Sequence, residues 1–320
     1  MDKSPEALSR RTFLTASGAL LLAGCASGND GAAGNVEVPE VRLGVLAVPD
    51  TAPLYVADRE GIFRSGGLRP KMVDSQLTGD NRFDLEHGTE DVHFDSWVTI
   101  FLNIADGADW VLVGEAYQAG ANTTALIAAP RSKLRRVRDL KGTRIAVNNP
   151  RGLGVMLITA LLSANGLAPS DVTFVETPFD QIGAAVQRGD AESGWLVEPY
   201  LTLAQLETGA VPLADTATGP TADLPQSGYV CARSFAERNP RTMRAFQSAL
   251  VRAQVAAQDR TVMERELTGY LKVTPRVGAL MNVGTFPGSL RAVRPQRVAD
   301  LMLEQGMLNK PIKVADRIFG

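Results

Sequence analysis

A chain of 320 residues, 45% of them apolar, has material for two compact α/β domains or one large one. Its 33 basic and 35 acidic residues are spread along the whole length and leave a net charge of −2, so no basic stripe exists and nucleic acid is excluded as a partner. The two cysteines, Cys25 and Cys231, do not make a disulfide framework, because the first lies in a processing signal.

The N-terminus carries Ser9-Arg10-Arg11-Thr12-Phe13-Leu14, then a modest run rich in Ala, Gly and Leu, then Leu22-Ala23-Gly24-Cys25. The arginine pair resembles a twin-arginine export signal, and the apolar run is shorter than the roughly 18 residues needed to span a bilayer. Leu22-Ala23-Gly24-Cys25 resembles a lipobox, which implies a signal peptide over 1–24 and a lipid on Cys25. The Gly/Asn/Ala/Ser composition of 25–39 buries nothing and predicts a flexible tether, with the folded part starting near Glu40.

Strand-like runs follow at 41–48, 92–94, 110–114, 144–147, 172–176, 194–197 and 229–232, alternating with helical spacing at 154–163, 182–188 and 241–257. That alternation predicts an α/β fold with a parallel-dominated sheet. Asn239 is expected to cap the last of these helices, with Pro240 in its first turn, and the tail over 267–320 reads as helical. Weak periodicity at 120–124 and 217–226 suggests two crossings between domains, dividing the chain into a discontinuous domain, 40–122 plus 228–320, and a second over 124–225.

Five segments carry a family resemblance: Ala52-Pro53-Leu54-Tyr55-Val56-Ala57 with Gly61-Ile62-Phe63, Asp139-Leu140-Lys141-Gly142-Thr143-Arg144-Ile145-Ala146-Val147, Gln187-Arg188-Gly189-Asp190-Ala191, Gly194-Trp195-Leu196-Val197-Glu198-Pro199-Tyr200, and Phe235-Ala236-Glu237-Arg238-Asn239-Pro240. In order and spacing, the chain from about residue 41 onward resembles the solute-binding proteins of nitrate, sulfonate and taurine importers, a superfamily that includes binders of thiamine-pyrimidine precursors. The resemblance implies a periplasmic-binding-protein-like fold of two hinged domains, a small-molecule ligand in the cleft, an ABC permease and ATPase as partners, and a monomer at the outer face of the cell membrane. It also touches the pyrimidine synthase of thiamine biosynthesis, an iron enzyme with a cysteine-rich segment. The mature chain has no such segment, no nucleophile–base motif, no phosphate loop and no metal-ligand spacing, so neither an enzyme nor a cofactor is expected. A sensor subunit that binds the same ligand is the other rival.

Ligands of open α/β sheets sit beyond the carboxyl ends of strands. The candidates there are Asp50 and Thr51, then Asp95, Ser96 and Trp97, then Tyr117; Asn149 and Arg151 follow another strand, and Trp195, Glu198 and Tyr200 belong to one further on. Ordinary packing competes with ligand stacking for the three aromatics of this set other than Tyr117, and helix capping competes for Asp50 and Asp95. Glu198, bounded by Trp195, Leu196, Val197 and Pro199, reads as buried with a ligand or an internal arginine, whereas His93 and Cys231 read as core residues. The 148–152 loop lacks Ser and Thr while Asp50, Asp95 and Glu198 surround the same cleft, so a neutral, cationic or zwitterionic ligand with N–H donors is expected. An aminopyrimidine held by Glu198 and stacked on Trp97 or Trp195 fits this pattern, with nitrate, sulfonate or taurine as the alternative.

Overall fold

The computed structural model describes residues 36–75 and 85–320; the export signal and Cys25, with most of the tether, lie outside the described residues. Ten strands are described: β1 (Glu40–Val45), β2 (Arg69–Asp74), β3 (Val92–Ser96), β4 (Trp110–Gln118), β5 (Thr124–Ala128), β6 (Arg144–Val147), β7 (Thr173–Glu176), β8 (Ser193–Val197), β9 (Val211–Asp215) and β10 (Pro225–Ala232). They form two five-stranded sheets, ordered β2-β1-β3-β10-β4 and β7-β6-β8-β5-β9.

Both sheets share one plan. A parallel trio, with Gly44 opposite His93 in the first and Ala146 opposite Gly194 in the second, is followed by one antiparallel strand, β10 or β5. Those two strands run backwards because each enters directly from the opposite sheet rather than through a helix of its own, as the order β4 to β5 and β9 to β10 requires. The expected parallel dominance is thus broken at one strand per sheet. Strands β2 and β9 carry no clear alternation because they are edges: Arg69-Pro70-Lys71 and Val211-Pro212 place charge and proline where no second neighbour pairs.

Helix Leu153–Ala164 is apolar on every side, and its neighbours explain why: it packs on the second sheet and also meets helix Trp97–Ala105, which follows β3 of the first. Helix Val293–Glu304 joins this cluster, and Gln305 Nε2 donates to the carbonyl of Met156 at 3.1 Å. The tail is helical, with Arg260–Tyr270, Pro275–Leu280 and Val293–Glu304. Helix Pro240–Ala256 begins at the expected residue with a different cap. Asn239 turns back to the carbonyl of Phe235, while the Glu37 carboxylate accepts from the backbone N–H groups of Arg241 and Thr242 at 3.1 and 2.8 Å. An anion from the incoming chain answers the positive end of the helix more strongly than a neutral amide does.

Candidate functional site

The carboxyl ends of β1, β3, β6 and β8 converge on a cavity of about 90 Å³, and an outer space of about 680 Å³ adjoins it through the shared walls Leu46, Thr99, Asn148, Asn149 and Phe179. The inner chamber lies where strand order reverses within each sheet, the position that parallel topology leaves open for a ligand.

The first sheet contributes acids and hydroxyls. After β1, residues Pro49–Thr51 form one 3₁₀ turn that projects Asp50 into the chamber, where its carboxylate accepts from Ser227 Oγ at 2.6 Å. Burial pushes this carboxyl up to about 6, with the Ser227 hydroxyl pulling weakly the other way. At the end of β3, Asp95 Oδ1 accepts from the N–H of Ser96 at 2.5 Å, and Ser96 Oγ caps helix Trp97–Ala105 by accepting from Thr99 N at 3.1 Å. Tyr117 closes the back wall, its hydroxyl accepting from the N–H of Gly284.

The second sheet contributes amides and rings. Asn148 and Asn149 follow β6, Asn149 Oδ1 accepting from Arg151 N at 2.8 Å, and helix Leu153–Ala164 starts at the chamber wall with no side-chain cap. Trp195 lines the chamber with its indole N–H on Thr216 Oγ1 at 2.9 Å; Phe179 packs against it at 5.8 Å and stacks on Tyr200 at 5.3 Å. Glu198 also lines the chamber, yet both of its oxygens have protein partners: Oε2 accepts from Thr202 N (3.0 Å), Oε1 from Thr202 Oγ1 (2.9 Å) and from Asn282 N (3.1 Å). It caps helix Tyr200–Thr208 and reaches the C-terminal segment, with no arginine beside it among the described residues.

Of the residues singled out in the sequence, Asp50, Asp95, Ser96, Tyr117, Asn149, Trp195 and Glu198 line the inner chamber, and Arg151 and Tyr200 line the outer space. Two are elsewhere. Thr51 is fully buried, its hydroxyl against the carbonyls of Leu46 and Val48 at 3.0 Å, because successive side chains of a 3₁₀ turn point about 120° apart and Thr51 turns away from the side that Asp50 takes. Trp97 is fully buried too: its ring lies over Gly228 and stacks on Phe101 at 5.8 Å, so closely that a Cβ at residue 228 would stand 2.1 Å from it. As the first residue of its helix it points behind the sheet, into the core, while Ser96 faces the chamber. Sequence reading missed Ser227, Gln226, Thr99 and Phe179. The signal for Ser227 is the antiparallel register that sets it opposite Ser96, which only the sheet reveals.

Similarity to known proteins follows the same outline. A Bacillus subtilis protein described as binding aliphatic sulfonates is 28% identical over 242 residues, 72% of this chain and 70% of that one. Among solved structures, the ligand-binding component of an ABC-type import system from Staphylococcus aureus superposes with a TM-score of 0.76 at 13% identity, over 88% of this chain and 97% of that one. The nitrate-binding protein NrtA from Synechocystis PCC 6803 gives 0.72 at 18% identity, over 88% and 86%. These likenesses show the periplasmic-binding-protein fold. Residues 48–260, which carry β2 to β10 and nearly all of the chamber lining, match the family model described as NMT1/THI5 like, and the chain belongs to that family.

Proposed function

We propose that this chain is the capture subunit of an ABC-type importer: an exported solute-binding protein, lipid-anchored through Cys25, that encloses a small polar ligand between two lobes and performs no chemistry on it. The lobes are 40–122 with 228–320, and 124–225, joined by the crossings between β4 and β5 and between β9 and β10. Closure follows from a ligand touching both lobes at once, which stabilises the closed state relative to the open one. Family membership and the interlobe chamber support this reading. For the anchor the support is the lipobox, and the check is fractionation: Cys25→Ala is expected in the soluble fraction, and a variant that stays as firmly membrane-bound as the parent refutes the anchor.

The ligand is small, neutral, cationic or zwitterionic, and donates N–H groups, as an aminopyrimidine does. Asp50 carries this reading: a carboxylate in the chamber whose hydrogen-bond partner is a hydroxyl, with no ion pair among the described residues. An anion about 5 Å from it, at an effective dielectric of 20, meets a repulsion of about 3 kcal/mol. No Lys, Arg or His of the described residues lines the inner chamber to offset that cost. Glu198, expected to hold the ligand, already accepts three hydrogen bonds from Thr202 and Asn282, so Asp50 is the stronger candidate for that role, with Phe179 and Trp195 as the ring wall.

A sulfonate or nitrate is the second reading. The sulfonate-binding relative and the uncapped N-terminus of helix Leu153–Ala164 at the chamber wall favour it. Calorimetric titration with a hydroxymethyl-aminopyrimidine, taurine, methanesulfonate and nitrate separates the two. Binding of the aminopyrimidine or taurine with no binding of methanesulfonate or nitrate supports the first; tight binding of either simple anion supports the second.

A further inference from the structure

A row of ionisable groups, Glu90, His93 and Asp95, runs from the buried core of the first sheet to the chamber wall. His93 sits in the middle of β3 with no exposed surface, between Gly44 of β1 and Val230 of β10. Its Nδ1 is 2.6 Å from Glu90 Oε2, and its Nε2 is 3.7 Å from Asp95 Oδ2, two residues along the same face of the strand. Glu90 is buried as deeply, and its other oxygen accepts from Ser75 Oγ. Asp95 is the member of the row that lines the chamber.

The strand has been fitted to this row. Gly44 stands in the interior of β1, next to Leu43 and Val45, where a glycine weakens a strand. A Cβ there would stand 1.9 Å from Glu90 Oε2, so the glycine makes the room in which the Glu90 carboxylate lies against the backbone of β1. Two carboxylates flanking one buried imidazole, Glu90 fully buried and Asp95 at the chamber wall, favour its charged form. Burial pulls the imidazole down, but the neighbouring Asp95 and Glu90 carboxylates outweigh it and raise His93 to about 9.

We propose that His93 is a buried imidazolium, held from behind by Glu90, that positions Asp95 as a recognition carboxylate at the chamber wall. His93 touches no ligand itself; it acts through Asp95. With Nδ1 engaged by Glu90, the buried Nε2 makes no hydrogen bond and stands 3.7 Å from Asp95 Oδ2, a gap that in this proposal a rotation of the carboxylate closes when ligand binds. The row as a whole carries one net negative charge, which deepens the reading of the ligand as an N–H donor and, for that part, rests on it.

The test has one arm independent of any ligand. The chain has only two histidines, His87 and His93, so proton NMR titration of the full-length mature protein reads His93 with His87 as internal control. The expected result is an imidazolium for His93 at neutral pH, with its titration shifted down by about one unit or more in Asp95→Asn and in Glu90→Gln. A His93 that is neutral at pH 7, or that ignores Asp95→Asn, overturns the proposal whatever the ligand proves to be. The second arm is calorimetry with the hydroxymethyl-aminopyrimidine and taurine as probes. His93→Gln should weaken the probe that binds by about tenfold, and the same substitution should cost nothing further once Asp95 is Asn, because the two act through one group. Additive losses would make His93 a structural residue only. If neither probe binds while nitrate does, the ligand class is wrong, and the NMR arm still decides the charge state of His93.

Discussion

The two sheets place corresponding residues at corresponding positions and give them opposite duties. Asp95 stands at the end of β3, the third strand of the first parallel trio, and Glu198 directly after β8, the third of the second; each precedes a helix that starts within two residues. In the first sheet a separate residue, Ser96, caps the helix, and Asp95 stands near His93 at the chamber wall. In the second sheet Glu198 itself accepts from the first turn of its helix, and it also accepts from Thr202 Oγ1 and Asn282 N. A carboxylate beyond a strand end is therefore not a ligand group by position; its partners decide. The same contrast holds after the first strand of each trio, where one sheet offers the acid Asp50 and the other the amides Asn148 and Asn149.

Exchanging these duties by mutation gives the sharpest tests. Asp50→Asn should reduce affinity for an amine-bearing probe by about two decades, following from about 3 kcal/mol of lost attraction at 5 Å. It should also stabilise the ligand-free protein at pH 7, by on the order of 1–3 kcal/mol, which a melting curve reads. The sign follows from the direction of the shift. Asp50 rises from 3.8 to about 6 on folding, so the folded state holds a proton that the unfolded state has already lost, and stability declines as pH climbs through that window.

Glu198→Ala should do the reverse: lower stability by about 1–2 kcal/mol through the lost cap and the lost Asn282 contact, with a smaller effect on affinity than Asp50→Asn. A loss of affinity equal to that of Asp50→Asn would erase the distinction between the two sheets. The smallest effect belongs to Thr51→Val, which removes the hydroxyl bonded to Leu46 and Val48 and should cost about 1 kcal/mol of stability with binding intact. If binding is lost instead, Thr51 reaches the ligand after all.

The family, the alternation of strands and helices, and most strand-end loops were legible in the sequence because each rests on local spacing or local motifs. Helix 153–164 showed its apolar run, and the loops after β1, β3 and β6 showed their polar residues. What stayed hidden depends on the third dimension. Ser227 enters the chamber through antiparallel pairing with β3, Trp97 leaves it because Gly228 opens a seat in the core, and Glu198 finds Asn282 more than eighty residues away. His93 read as a core histidine, which its burial matches, but nothing in the sequence said that Glu90 and Asp95 would close on its two nitrogens.

The central claim is that Asp50 faces the ligand as a carboxylate, and calorimetry across pH tests it most directly, using taurine and nitrate because each keeps a fixed charge between pH 5 and 7.5. With Asp50 titrating at about 6, taurine bound through its ammonium should bind more tightly as pH rises through that value, and Asp50→Asn should abolish both the tight binding and its pH dependence. Nitrate that binds tightly, gains affinity as pH falls through the same value, and binds better still to Asp50→Asn would contradict the account.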